Sequence, residues 1–337
     1  MKIREQLEER EKANLCATAT LSMASLGRRL QEEQDDIRPC FQRDRDRILY
    51  SKAFRRLKDK TQVFLTPDGD HYRTRLTHTL EVAQNARTIA RALRLNEDLA
   101  EAIAFGHDLG HTPFGHAGER ALAQVCPLGF RHNEQSLRTV DVLELHKDRQ
   151  GLNLTEEVRD GILNHEMSTT PMTQEGRVVR LSDKIAYIHH DMDDAIRGGI
   201  ISFDDVPHSI TSVLGRTNGE WLGTFIHDIV SVSEEAGDIR MSAQVEEAFL
   251  ALRQFMFDHV YTNPVAKGQE GKAQEMVIIL YQYYMEHPEL LPEALQRLQN
   301  QGEPIERLVC DHISSMTDRY AIARFEEIFV PASWQVL

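Results

Sequence analysis

Cysteine is scarce and scattered. The 337 residues hold four, Cys16, Cys40, Cys126 and Cys310, with neither a C-x-x-C pair nor a dense pattern, which excludes a disulfide-stapled scaffold and fits a reducing compartment. Each reads as a small buried hydrophobe. Long apolar runs are missing too: nothing approaches the roughly 18 uninterrupted apolar residues of a bilayer span, and the opening MKIREQLEEREK has no apolar core segment. A cytoplasmic protein without a membrane partner is expected. Positive charge is in deficit, 39 Lys and Arg against 53 Asp and Glu for a net charge of −14. Repeats and low-complexity tracts are absent, and 41% hydrophobic residues are enough to fill cores in about two domains, which excludes global disorder.

Strand signals are few. TQVFL at 61–65, a turn-forming TPDGD and HYRTR at 71–75 predict one short β-hairpin. Elsewhere apolar residues recur three and four apart, in 80–95, 98–106, 178–196, 242–260 and 272–285, the period of helices with one buried face. The fold class expected is all-α. Gly198-Gly199 ends a long helix that starts near Arg177, and residues able to do chemistry thin out beyond it, which places a domain boundary near 200. Residues 165–176 read as an exposed loop, and Asn263-Pro264 as a break between two groups of C-terminal helices.

Against the acidic background, residues 43–60 carry eight cations and three acids. Such a segment needs anions. Salt bridges on a solvated helix face satisfy this for 43–47, and binding of single-stranded nucleic acid is the alternative, weakened by the overall acidity.

Histidine is the informative residue: of fifteen, six lie in the 62 residues from His71 to His132, where even spreading would put fewer than three. One histidine on an apolar helix face is usually a satisfied core residue, but a cluster resists that reading. His78 is expected to start a helix, with Thr77 and Glu81 as a capping arrangement. The pair His107-Asp108 offers a nitrogen and an oxygen ligand from adjacent positions. Asp183, flanked by Val178, Leu181, Ile185 and Tyr187, is costly to bury without a cation. His78, His107, Asp108 and Asp183 make a two-nitrogen, two-oxygen set suited to Mn, Fe, Co, Ni or Mg, with Zn also accommodated. His116 and Glu119, three apart at a helix start, can act as an imidazole and its orienting carboxylate. Arg75 lies just ahead of His78 and presents a planar fork that suits phosphate oxygens.

The order of these motifs resembles the HD metal-dependent phosphohydrolase superfamily. More narrowly, AFRRLKDKTQVF, RTRLTHTLEV, FGHDLGHTPFGHAGE, FRHNEQSLR, GLNLTEEVRDGIL and SDKIAYIHHDMDDAI resemble the bacterial deoxyguanosine triphosphate triphosphohydrolase-like proteins. HVYTNP and SMTDRYAIARFEEIF resemble that family's associated helical domain. The resemblance implies an N-terminal helical arm with the basic segment at 1–60, an HD core at 61–200 and a C-terminal helical domain at 201–337. It implies hydrolysis of a deoxynucleoside triphosphate to the deoxynucleoside and inorganic triphosphate by water attack at the α-phosphorus, a divalent metal cofactor, and assembly into a homo-oligomer.

By the same resemblance His116 takes the central catalytic role. His111, His132 and Glu134 line the phosphates or complete the proton network, and Lys184 meets phosphate. Asp183, Tyr187 and Asp191 are spaced i, i+4 and i+8, spanning about 12 Å along one helix face at 1.5 Å per residue. The animal hydrolase of the superfamily implies that Tyr187 packs on the deoxyribose, with Asp191 and Gln62 at its 3′-hydroxyl. Other nucleotide phosphohydrolases of the superfamily, and a nucleotide-sensing protein that binds single strands, are the alternatives.

Overall fold

The computed structural model describes residues 1–62, 73–146, 149–261 and 268–331. Among them an N-terminal helix α1 (Ile3–Asn14) is followed by α2 (Cys40–Leu49) and the short α3 (Lys52–Arg56). Then come α4 (Arg75–Ala92), α5 (Glu97–Gly106), α6 (Gly115–Val125), α7 (His132–Arg138), α8 (Glu156–Leu163) and the long α9 (Gln174–Arg197). Helices α10 (His208–Leu214), α11 (Asn218–Ala236) and α12 (Ala243–Met256) precede a last group: α13 (Glu270–Glu286), α14 (Glu293–Asn300), α15 (Ile305–Ser314) and α16 (Asp318–Phe329). The all-α class holds. The described strands, β1 (Leu145–His146) and β2 (Arg149–Gln150), pair antiparallel. The hairpin expected at 61–65 and 71–75 lies largely outside the described residues, and Thr61 and Thr74 at its ends meet in a single antiparallel bridge. The Asn263-Pro264 break also lies outside them.

Helix α5 is buried over most of its length from Leu99 to Gly106 and packs against α2, α4, α8 and α9. It starts where the Asn96 side chain accepts the N–H groups of Asp98 and Leu99, with Glu97 and Asp98 in the first turn favoured by the helix dipole. Its crossing with α8 depends on glycine. A Cβ on Gly106 would stand 2.4 Å from Ile162 Cδ1, and one on Gly161 would stand 2.5 Å from Ile103 Cδ1. Each helix seats the other's isoleucine in its own glycine notch, which draws the C-terminal ends of α5 and α8 together.

Helix α4 begins one turn before the expected start. Thr74 is its cap, and the Thr77 hydroxyl accepts the Thr74 N–H at 3.0 Å; Glu81 instead faces Arg73 and His190. His78 therefore sits in the second turn on the buried face. Helix α9 begins at Gln174, capped by Thr173, and ends at Arg197 before Gly198.

Two apolar clusters cut across the order of the chain. Helices α10, α11 and α12 add Leu214, Trp221, Phe225 and Phe249 to the core built on α2, α4, α5, α8 and α9. Helix α6, in the middle of the first half, adds Ala117, Ala121 and Leu122 to a second core with Val277, Leu280 and Tyr284 of α13 and Val309 of α15. Sequence order hides this because the pattern of α6 shows an apolar face without showing its partner.

The basic segment is mostly consumed internally. Arg45 meets Asp98 at 2.9 Å and Glu101 at 3.0 Å, Arg43 meets Glu32 at 3.2 Å, and Arg47 donates to the carbonyls of Leu152 and Asn153. Lys60 is 2% exposed and donates to the carbonyls of His111 and Ser314. Burial, with Arg56 nearby, pushes its amine down to about 7.

A second tie joins the two cores beside it. Phe114, the cap of α6, is left-handed at φ +63°, a costly conformation for a side chain of that size. Its N–H donates at 2.9 Å to Asp318, in the first turn of α16, whose other oxygen accepts the Thr61 N–H and hydroxyl.

Two outcomes follow from this packing. Gly161→Ala should lower the free energy of unfolding by about 1–3 kcal/mol through overpacking, whereas Gly223→Ala, in open space on α11, should be neutral or raise it by about 0.5–1 kcal/mol; urea titration of both decides. Asp318→Ala should cost about 1–3 kcal/mol by stranding a buried donor and speed hydrogen exchange at the Phe114 amide. Unchanged protection of that amide would remove the tie.

Candidate active site

Four side chains from three elements converge. His78 projects from α4, His107 and Asp108 follow the end of α5, and Asp183 lies on α9. His78 Nε2 stands 3.1 Å from Asp183 Oδ1, and His107 Nε2 lies 3.4 Å from Asp108 Oδ1 and 3.8 Å from Asp183 Oδ1. His107 Nδ1 is 2.7 Å from the Ala104 carbonyl, which can only accept, so Nδ1 donates and in the neutral ring Nε2 is bare. Among the described residues Nε2 has no hydrogen-bond partner although it is buried.

The charges agree with this geometry. Burial alone would raise the Asp108 carboxyl, but His107, His111 and Arg75 hold it well below the usual carboxylate range. Burial is likewise overcome at Asp183 by Lys184 and by the hydrogen bond with His78. His78 is pushed toward its neutral form, chiefly by burial. Two imidazoles beside two ionised carboxylates, with His107 Nε2 buried among them and without a hydrogen-bond partner, form a donor set that fits a divalent cation.

A second cluster sits against the first. On α6, His116 Nδ1 lies 2.9 Å from Glu119 Oε2; from α7, the backbone N–H of His132 donates at 2.8 Å to Glu119 Oε1, and its Nδ1 lies 2.9 Å from that same oxygen. Although burial opposes it, these bonds keep Glu119 ionised. An ionised carboxylate only accepts, so both rings donate from Nδ1. The His116 side chain is 46% exposed, with Nε2 free to exchange a proton at the mouth. His111 stacks on His132 at 4.0 Å between ring centres and puts Nε2 at 3.3 Å from Asp108 Oδ1. Burial and Arg75 push His111 well below the usual histidine range.

Both clusters open into one cavity of about 460 Å³. Gln62, Arg75, Lys184 and Tyr187 line it. Arg75 donates to Asp108 Oδ2 at 2.8 Å, and its Nη2 and Nε have no partner among the described residues; the same is true of Gln62 Oε1. Lys184 Nζ donates to Asp183 Oδ2 at 2.7 Å.

Two expected residues lie elsewhere. Glu134 is exposed in the first turn of α7, away from the cavity wall. Asp191 is buried beneath the wall, accepts the Tyr261 hydroxyl and is pushed up to about 8 by burial. Helix spacing placed it correctly on the Asp183 face, but the Tyr261 ring, 5.8 Å from that of Tyr187, stands over it.

The cavity also holds residues that sequence reasoning passed over. His165, read as part of an exposed loop, is 1% exposed and on the wall. Its signal was the string GILNH, a histidine at the end of an apolar helix like that of AFGH. Glu166 stands beside it, while Arg253 and Tyr261 come from the region where chemistry was expected to thin out. Among the described residues no helix is long and apolar enough to cross a membrane.

Comparison with known proteins gives the lineage. Residues 75–188 match the HD domain, and residues 239–327 match the phosphohydrolase-associated domain. Three curated proteins are each named deoxyguanosinetriphosphate triphosphohydrolase-like protein. The one from Caldanaerobacter subterraneus subsp. tengcongensis is 53% identical over 99% of this chain and 98% of its own. That from Desulfatibacillum aliphaticivorans is 49% identical over 98% and 99%, and that from Clostridium perfringens strain 13 is 46% identical over 98% of each. With identity of this level over nearly the full length, and the histidine–aspartate site inside the HD match, the chain belongs to the deoxyguanosinetriphosphate triphosphohydrolase-like family of HD-domain proteins.

Proposed function

We propose that the cavity hydrolyses deoxynucleoside triphosphates, dGTP among them, to the deoxynucleoside and inorganic triphosphate. The observation that carries this is the convergence, on one cavity wall, of His78, Asp108 and Asp183, with His107 buried behind them, and of the half-exposed His116, paired with Glu119, and two cations, Arg75 and Lys184. The names of the relatives support the same reading.

Water attacks the α-phosphorus, the bond to the 5′ oxygen breaks, the water oxygen leaves in triphosphate, and the 5′ oxygen gains a proton. A divalent cation held by the four ligands neutralises charge at the phosphate when bound. His116 handles the proton through Nε2 while Glu119 holds the ring through Nδ1. Arg75 offers its unpartnered guanidinium nitrogens to phosphate oxygens, and Lys184 adds charge one residue from Asp183. His111 and His132 form the inner wall behind the reacting phosphate. Tyr187 forms the side wall against which deoxyribose packs, and Gln62 Oε1 is an acceptor for a sugar hydroxyl. Asp191 acts through Tyr261, and Glu134 takes no part in contact with substrate.

The reaction is tested by incubating each dNTP and GTP with metal-loaded protein in ¹⁸O-water and separating products by anion exchange. Triphosphate carrying the label and an unlabelled nucleoside are expected. Labelled nucleoside, or orthophosphate as first product, would mean another reaction. Asp183→Ala should lose bound metal and turnover together. His116→Ala should keep metal and lose turnover by roughly a hundred to ten thousand fold, the worth of a positioned acid–base group.

A pH measurement separates Asp191 from the wall. The folded chain keeps on Asp191 a proton that the unfolded chain releases, between 3.8 and about 8. Stability should therefore fall as pH rises through that window. Asp191→Asn, which still accepts the Tyr261 hydroxyl, should flatten that part of the slope in thermal midpoints measured at intervals from pH 5 to 9.

A further inference from the structure

The His78 ring has a partner at each nitrogen. Nε2 stands 3.1 Å from Asp183 Oδ1, and on the opposite side Nδ1 stands 3.4 Å from Nδ1 of His190, two turns further along α9. Both rings are 1% exposed. A neutral imidazole carries one proton, so the two partners compete for it. With the proton on Nε2, His78 donates to Asp183 and has no lone pair to offer there. With the proton on Nδ1, it donates to His190 and turns a bare Nε2 toward the donor set, and only this form can ligate at Nε2. What His190 can accept is decided by Glu81. The Glu81 carboxylate pairs with His190 Nε2, and Arg73, whose Nε lies 3.6 Å from Glu81 Oε1, favours its ionised form. Arg73 is in turn held by Asp193 at 2.9 Å and Asp194 at 3.2 Å. An ionised carboxylate only accepts, so His190 donates from Nε2 and, in the neutral ring, leaves Nδ1 bare toward His78.

The geometry points to a chain of hydrogen bonds, Arg73–Glu81–His190–His78, in which Glu81 and His190 are positioning residues: they draw the His78 proton to Nδ1 and so free Nε2 for the cation. This rests on the reading above that His78 is a ligand. His107 obtains the same orientation from the Ala104 carbonyl at the end of α5. His78 has no such carbonyl, because it lies in the second turn of α4, where backbone acceptors are engaged by the helix itself. A side chain has to supply the acceptor, and α9 brings one from the helix that also carries Asp183. The grouping of Glu81, His189 and His190, with ligand atoms within 4.8 Å of one another, is then no cation site of its own, since its carboxylate and one of its rings are already paired. Apparent affinity for a cation falls with the fraction of His78 in the ligating form, and loss of such an outer partner costs about 10–100-fold in metal affinity.

Mn(II) affinity and the His78 tautomer decide. Chelator-stripped protein is titrated with Mn(II), the free ion being read by electron paramagnetic resonance, and ¹⁵N spectra of the histidine rings, assigned with His78→Ala, report which nitrogen of His78 carries the proton. His190→Phe, which keeps a ring without its nitrogens, should bind Mn(II) about 10–100-fold more weakly than wild type and shift the His78 proton toward Nε2. His190→Gln, whose amide offers an acceptor to His78 and a donor to Glu81, should recover most of that affinity. Glu81→Ala, at a half-exposed position where truncation leaves the core intact, should move both readouts in the direction of His190→Phe. His189→Phe, whose ring meets that of His190 edge to face at 5.8 Å, should move neither. Wild-type affinity in both His190→Phe and Glu81→Ala, or a His78 tautomer unchanged in both, overturns the chain. Equal losses in His190→Phe and His190→Gln overturn it too, since ring volume would then be the cause. No Mn(II) bound by wild type, or an affinity unaffected by His78→Ala, would instead remove His78 as a ligand and with it the function proposed above.

Discussion

Asp108 and Asp183 stay ionised where water hardly reaches, and the centre of the molecule is arranged around that requirement. A buried carboxylate is tolerated only with compensating charge and hydrogen bonds, and removal of one partner leaves an exposed cost. Arg75 is 1% exposed because Asp108 holds it, and Lys184 folds back onto Asp183 from the next position on the same helix. These cations balance part of the charge. Bare ring nitrogens cannot balance the rest, which is why the donor set fits a cation.

Ring orientation comes from helix termini. The last carbonyls of a helix have no partner within it, and His107 and His165 both use this: each donates from Nδ1 to the carbonyl three residues back, at the ends of α5 and α8. The paired glycine notches at Gly106 and Gly161 bring those two ends together. Backbone geometry and core packing thus decide which nitrogen of each ring faces the cavity, before any ligand arrives. A methyl group added at Gly161 would press on Ile103, four residues before His107, so the stability of the crossing and the geometry of the donors are linked.

What was legible in the sequence was the chemistry carried by unusual local strings. A doublet such as His107-Asp108, or an aspartate on an apolar face such as Asp183, is anomalous at its own position and can be read without a partner. The helical class and the end of α9 were legible for the same reason, since period and glycine act locally. His165 was not, because a single histidine after an apolar helix is ordinary until the α5–α8 crossing sets it beside His107 and His132. Asp191 shows the reverse error: spacing gave its face, but only the return of Tyr261, seventy residues later, shows that another ring covers it. The pairing of α6 was hidden for a similar reason, because its apolar face does not name α13 as its partner.

The packing of α6 explains where the site lies. Helix α6 buries its apolar face with the C-terminal helices and turns His116 and Glu119 toward the residues of the first core, so the cavity occupies the seam between two separately packed bodies. A seam needs ties across it. Lys60 reaches the carbonyls of His111 and Ser314, one from each side, and Asp318 reaches Phe114 and Thr61. The left-handed Phe114 is the point at which the chain turns from the Asp108 loop into α6, and Gly115 after it is also left-handed at φ +56°. A Cβ at Gly115 would stand 2.9 Å from Arg75 Nη2, so the turn has no room to relax toward the cavity. The distance between His116 and Asp108 is therefore set jointly by Asp318, by the strained turn and by Arg75, and the C-terminal helices bear on the cavity through that distance.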